Sequence, residues 1–327
     1  MKSTPIECLT SSPISRFAQQ ILVERISTAM YWLPLAADHA AYCSDYVHQL
    51  RVASRRANAA LRLMESLVAK RRGQTWRRRL RRIRRAAGDA REMDVLIMRL
   101  EEEHGQGGPP RDASIGALQQ WLRVRRAQAQ RMLRQESERL NWDAVWRDLR
   151  KLSASVRWRS RGPEPDWREA LERKLDAEWP AFAMKARSLL ARPASRDSKS
   201  APRPSQFHAF RVLAKRLRYG LELAGQDQAG PLLSALSTIQ DRLGRMNDHA
   251  TALQQWESGM GDTRAAALRD TLQERASQER NALNLEMARF QRWWTAERFQ
   301  ALNRQWRTTL KQLRRRANPT SPPPCLA

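Results

Sequence analysis

Long apolar runs, strand signals, cysteines and acidic residues are all scarce in this chain of 327 residues. Each shortage removes a class of protein. The three cysteines, Cys8, Cys43 and Cys325, lie far apart with no metal-ligand spacing, which argues against a disulfide framework and fits a reducing compartment. The stretch "ILVERISTAMYWLPLAA" is interrupted by Glu24 and Arg25, so it predicts a buried amphipathic helix and no membrane span. No signal peptide opens the chain, and a soluble cytoplasmic protein is expected. No hairpin turn joins alternating β-branched runs. No GxxxxGK[ST] loop, strand-borne GxGxxG or GxSxG elbow is present. None of the histidines, His39, His48, His104, His208 and His249, stands in HExxH or beside a cysteine pair. No enzyme site, metal or cofactor is therefore expected. The carboxylates Glu101, Glu102 and Glu103 precede "HGQGGPP" and read as a solvated helix end.

Acid is the shortage with the largest consequence. Against 34 Asp and Glu stand 60 Lys and Arg, a formal charge of +26. Such a charge favours polyanionic partners: nucleic acid, polyphosphate or an anionic surface. Most of the cations are Arg, whose planar fork suits bidentate phosphate contacts.

What is present is helical periodicity, broken by a few loops. Helices are expected at about 14–38, 43–70, 74–101, 112–139, 141–156 and 166–192, then at about 207–225, 231–258 and 263–312, the last as one helix or two. The Pro- and Ser-rich "RPASRDSKSAPRPSQ" supplies a linker over 193–206. The expected organisation is a flexible 1–13, a first helical half 14–192, the linker, a second half 207–312 and a disordered tail 313–327.

Two stretches repeat. His48, Arg51, Arg55 and Arg56 in "YVHQLRVASRR" align with His208, Arg211, Lys215 and Arg216 in "FHAFRVLAKRLRYGLEL". Further on, "LRRIRRAAGDAREMDVL" aligns with "LSTIQDRLGRMNDHATAL", which sets Gly88 on Gly244 and Glu92 on Asp248. Two matches in the same order point to one helical unit used twice, over roughly 40–100 and 205–258.

On a wheel of about 100° per residue with His48 at zero, Arg51 falls near −60°, Arg55 near −20° and Arg56 near +80°. The apolar Val47, Leu50, Ala57, Leu61 and Met64 lie roughly opposite. The second copy places Arg211, Lys215 and Arg218 beside His208. A solvated face would mix signs to gain i,i+4 pairs, yet these faces carry almost no acid. Like charges held this close are stabilised by an anion, so an anion-binding face is the reading. In the next helix ten of the sixteen residues from Lys70 to Arg85 are basic, with Arg78, Arg81, Arg82 and Arg85 across from the stripe Trp76, Leu80, Ile83 and Ala87. The matching helix of the second copy is not basic.

The two His–x–x–Arg–x–x–x–Arg/Lys–Arg helices, followed by "GDAREMDVL" and "GRMND", resemble the CHAD family, the conserved-histidine α-helical domain, over about 14–312. That resemblance implies an all-α fold of two pseudo-symmetric four-helix bundles around a basic central groove or pore that binds inorganic polyphosphate. Carried over, His48, Arg51, Arg55, Arg56, His208, Arg211, Lys215, Arg216 and Arg218 would line it, with Arg82, Arg85 and Arg91 as weaker matches. Asn58 departs from the pattern, standing where Arg218 stands in the second copy, and Glu92 replaces the usual Asp. Such domains are often joined to a catalytic, β-rich CYTH domain; nothing here is β-rich, so a stand-alone copy is expected. Association with cytoplasmic polyphosphate granules follows from the same resemblance, while the sequence names no protein partner.

Glu92, Asp94 and Asp248 either hold arginine forks in place or are ordinary helix-terminus charge. His48 and His208, flanked by arginines, are expected to strengthen anion binding below about pH 6.5. The rival ligand is nucleic acid. Twelve tryptophans invite base stacking, but Trp32, Trp76, Trp121, Trp142 and Trp146 fall in amphipathic patterns and are expected in the core.

Overall fold

A computed structural model describes residues 12–40, 45–104, 113–190, 202–261 and 268–317. Among these residues there are ten helices and no strand: α1 (Ile14–Asp38), α2 (Asp45–Leu63), α3 (Lys70–His104), α4 (Ala113–Glu138), α5 (Trp142–Ala154), α6 (Trp167–Ser188), α7 (Pro204–Leu221), α8 (Gln226–Met260), α9 (Arg269–Trp293) and α10 (Ala296–Ala317). The chain is all-α, as its periodicity predicts. No helix of the described residues is long and apolar enough to cross a membrane.

The reason α2 is a helix also fixes its orientation. Val47, Leu50, Ala53, Ala57, Ala60, Leu61 and Met64 recur at helical spacing and are all buried, which turns the opposite, cationic face away from the core. Helix starts are marked by side chains: Asn141 Oδ1 accepts from the Ala144 amide at 2.8 Å, and Asp166 Oδ1 from the Arg168 amide at 2.8 Å. The expected span 263–312 is two helices. The break falls at Trp294, whose indole is buried and donates to the Ala186 carbonyl of α6 at 2.9 Å.

Helices α1, α2, α3 and α4 pack in cyclic order, with α5 laid against α1 and α3. Helices α6, α7, α8 and α10 form a second ring, with α9 on α8. Contacts between the rings join α1 to α6, α2 to α7, α3 to α8 and α4 to α9. Grouped by packing, α6 goes with the second ring, although it lies in the expected first half 14–192. The segment α7 begins at Pro204, inside the expected linker, and α10 runs on to Ala317, into the expected tail. Of the stretches expected to be unstructured, 1–11, 193–201 and 318–327 lie outside the described residues.

One large core runs through both rings, and a smaller one, containing Met93, Leu96, Leu100, Trp121, Trp256 and Leu272, joins the far ends of α3, α4, α8 and α9. The rings are also tied where α1 and α6 begin. The Ile14 amide donates to the Pro165 carbonyl and the Trp167 amide to the Ser12 carbonyl, both at 3.1 Å. Beside them Phe17 stacks on Trp167 with ring centroids 4.2 Å apart. Phe17→Ala is expected to destabilise the fold by about 3–5 kcal/mol, a loss that chemical denaturation would read directly.

Candidate functional site

Between the two cores the packing opens into a cavity of about 490 Å³. Its wall is built from four helices. From α2 come His48, Arg51 and Arg55; from α7, His208 and Arg211; from α3, Arg91, Glu92, Val95 and Leu96; and from α8, Asn247, Asp248, Thr251 and Ala252. The repeated motif helices face one another because each turns its apolar stripe outward into its own ring. Contact of α2 with α7 then brings the two cationic faces together.

The cations are crowded and partly desolvated. Burial is the main cause that lowers the Arg51 pKa to about 10, and the neighbouring Arg55 lowers it further, against the pull of Glu92. Burial likewise lowers Arg211, where Asp248 opposes it. Lys215 is half-buried next to the wall, and its pKa falls to about 7 through burial first and then through Arg211, Arg55, Arg218 and Arg51. Arg211 donates to Asn247 Oδ1 at 3.0 Å, while its buried Nε has no acceptor. Five cations, Arg51, Arg55, Arg91, Arg211 and Lys215, thus meet only two carboxylates, Glu92 and Asp248. Both carboxylates have raised pKa values because they too are buried.

His48 departs from expectation. Burial, reinforced by Arg91, Arg55 and Arg51 and opposed by Asp45, lowers its pKa below the ordinary histidine value. Its protonated form is therefore disfavoured in the free protein, while Lys215 is brought to a pKa of about 7.

Several predicted site residues sit elsewhere. Arg56 reaches Glu222 at 2.9 Å and Arg218 reaches the same carboxylate at 3.5 Å, so both flank the cavity as an ion-pair cluster across α2 and α7. Arg216 is exposed. Arg82 pairs with Glu136 of α4 at 3.0 Å on the outer surface, and Arg85 is exposed on the same helix. The arginine-holding role considered for Asp94 applies to Arg126 of α4, which is not a cavity residue. Glu92 accepts from Gln255 Nε2 of α8 at 2.9 Å, which links the rings across the cavity. Sequence reasoning missed Arg84, half-buried beside Arg55 and Tyr219. The signal was available, since Arg84, Gly88, Arg91 and Val95 recur at helical spacing.

The CHAD domain family matches residues 20–257 of the chain. The chain belongs to the CHAD domain family. Among solved structures, PptA from Streptomyces chartreusis is similar at 18% identity and a TM-score of 0.62, over 86% of this chain and 99% of that one. The CHAD domain from the plant Ricinus communis is similar at 18% identity and a TM-score of 0.60, over 88% and 96%. At such identity the likeness speaks for the fold. A search of curated proteins gave no match.

The two motif glycines of this CHAD chain are not equivalent. A Cβ at Gly88 would lie 2.9 Å from the Arg51 Nη1, whereas one at Gly244 would meet nothing within 4 Å. Gly88→Ala is therefore expected to displace the Arg51 guanidinium and weaken anion binding. Gly244→Ala should leave binding intact and stabilise the helix by up to about 1 kcal/mol; titration calorimetry and thermal melting of the pair separate the two effects.

Lys215 supplies a second test. Its folded pKa lies below its unfolded one, so unfolding takes up a proton between about pH 7 and the ordinary lysine value. The resulting loss of stability is complete below pH 7 and fades as pH rises toward 10.5. Lys215→Met should accordingly raise the melting temperature most at pH 6 and little at pH 10.

Proposed function

We propose that this chain binds inorganic polyphosphate in the cavity between α2 and α7, as a binding protein and not an enzyme, and that it associates with polyphosphate granules in the cytoplasm. The observation that carries this reading is the crowding of Arg51, Arg55, Arg211 and Lys215 in a half-buried space with two carboxylates for company. A phosphate chain threaded along both motif helices would supply the missing acceptors, relieve the repulsion and release its own condensed counterions.

Membership of the CHAD family supports the same ligand. The cavity carboxylates each sit beside an arginine, Glu92 near Arg51 and Asp248 near Arg211, a placement suited to holding guanidinium groups. His48 and His208 face the ligand from matching positions on α2 and α7.

Nucleic acid is the rival. Its base-stacking argument loses force because Trp76, Trp121, Trp294 and Trp306 are buried, and Trp32 and Trp142 are packed against the core. Trp146, expected in the core, is 37% exposed, but it borders a separate groove between α1 and α5.

Competition binding at about 150 mM salt (near the physiological ionic strength), pitting long-chain polyphosphate against tRNA and duplex DNA, tests the proposal. Wild type should prefer polyphosphate, and a variant with Arg51, Arg55, Arg211 and Lys215 changed to Ala should lose that preference. Equal binding of all three polymers by both proteins would sink it. Affinity should also rise as pH falls from 8 to 6, because Lys215 gains its proton across pH 7 and the anion favours the charged form. That rise should disappear in Lys215→Met.

A further inference from the structure

The ten cations between Lys70 and Arg85 of α3 separate into two sets once the neighbours are known. One set is held by protein acceptors. Arg72 donates to the Lys151 carbonyl, Arg77 pairs with Glu65, Arg79 pairs with Asp148, and Arg82 pairs with Glu136. The other set includes Arg78, Arg81 and Arg85, which are exposed and enter no ion pair among the described residues.

This second set connects to the cavity. On a helix turning about 100° per residue, Arg81, Arg84, Gly88 and Arg91 fall within roughly 80° of one another. Arg91 lines the cavity and Gly88 lies under the Arg51 guanidinium. Arg84 stands next, half-buried, with both Arg55 of the cavity and Arg81 of the surface as electrostatic neighbours. From Arg91 to Arg78 the helix advances on the order of 20 Å. Arg85 and Arg78 stand about 40° and 60° beyond Arg81 on the side away from Arg91, so the strip of cations turns from the cavity wall onto the exposed side of α3.

The strip has no counterpart on the other side. The matching stretch of α8, from Gly230 to Gly244, carries one cation, Arg242, and that guanidinium lies over the Trp293 ring, 4.4 Å from its centroid. A linear polyanion leaving the cavity therefore meets cations along α3 and almost none along α8.

We propose that Arg78, Arg81 and Arg85, reached past Arg84, hold the part of a polyphosphate chain that extends beyond the cavity, and that this strip makes the protein selective for long chains over short ones. The inference rests on the polyphosphate reading above. A short oligophosphate fills the cavity alone and gains nothing from the strip. A long one continues along α3, and each added contact with an exposed arginine releases a condensed counterion. Exposed guanidinium groups without acid partners suit this task, because no internal ion pair has to break before phosphate binds.

The test measures binding of tripolyphosphate and of long-chain polyphosphate over a salt series. Three proteins are compared: wild type, a strip variant with Arg78→Gln, Arg81→Gln and Arg85→Gln, and the cavity variant of the preceding section. All three strip residues are exposed, so their replacement leaves the packing untouched. In the strip variant the slope of log affinity against log salt should fall by about 2–3 for the long chain, with tripolyphosphate binding unchanged. An unchanged slope overturns the inference, as does an equal loss for both ligands. Loss of single-stranded RNA binding with polyphosphate binding intact also overturns it, since the strip would then serve nucleic acid. If the cavity variant loses tripolyphosphate while the strip variant keeps the full slope, the inference fails alone. If wild type binds neither phosphate polymer, the cavity reading fails and the strip falls with it.

Discussion

Arg51, Arg55, Arg211 and Lys215 carry like charges on two helices that touch, and burial withholds the water that would screen them. Those four side chains repel one another, and Arg56 with Glu222 supplies an ion pair only at their edge. What holds the helices together is the apolar packing behind them, one core that runs through both rings, and the stitch of backbone hydrogen bonds where α1 and α6 begin. The scaffold can hold this repulsion because apolar burial is worth tens of calories per Å² over a very large area, while each charge is only partly desolvated. An anion between the faces would turn this repulsion into attraction.

The remaining charge is managed by pairing. Guanidinium groups outside the cavity are drawn to carboxylates on neighbouring helices, as in Arg62 with Glu178, Arg99 with Glu279, Arg126 with Asp94 and Arg314 with Glu172. These pairs join α2 to α6, α3 to α9, α3 to α4 and α6 to α10. Acid is scarce in this chain, and it is used at the joints between helices. In the cavity and along the exposed side of α3, cations stand without such partners.

The two motif copies share a pattern and differ in chemistry. The first has Arg55 where the second has Lys215, whose pKa burial and the surrounding cations lower to about 7. Gly88 lies under an arginine and Gly244 lies under nothing. Asn58 leaves the first copy without a counterpart of Arg218, which lies 3.5 Å from the Glu222 carboxylate that Arg56 also uses. The charge is therefore divided unequally: α3 carries the longer row of cations, while α7 carries the lysine whose pKa falls to about 7.

Much of this was legible in the sequence, and the reason is periodicity. Helix positions follow from apolar residues at steps of three and four, so eight of the nine expected spans each correspond to one observed helix, with ends that differ by up to seven residues, and the motif spacing alone puts His48, Arg51 and Arg55 on one face. The sequence also determined the charge, its repetition and its imbalance between the copies. It did not determine which ring α6 joins, or that the last span breaks at Trp294, because both depend on where a distant helix offers a surface or a carbonyl. It offered the helical spacing of Arg84 with Gly88, Arg91 and Val95, but not that Arg84 faces Arg55 while Arg82 faces Glu136. Nor could it show that the His48 pKa is lowered and that of Lys215 brought to about 7, because those shifts come first from burial and then from charges that include ones on other helices. Local sequence sets which face of a helix is cationic; only the tertiary structure decides what that face looks at.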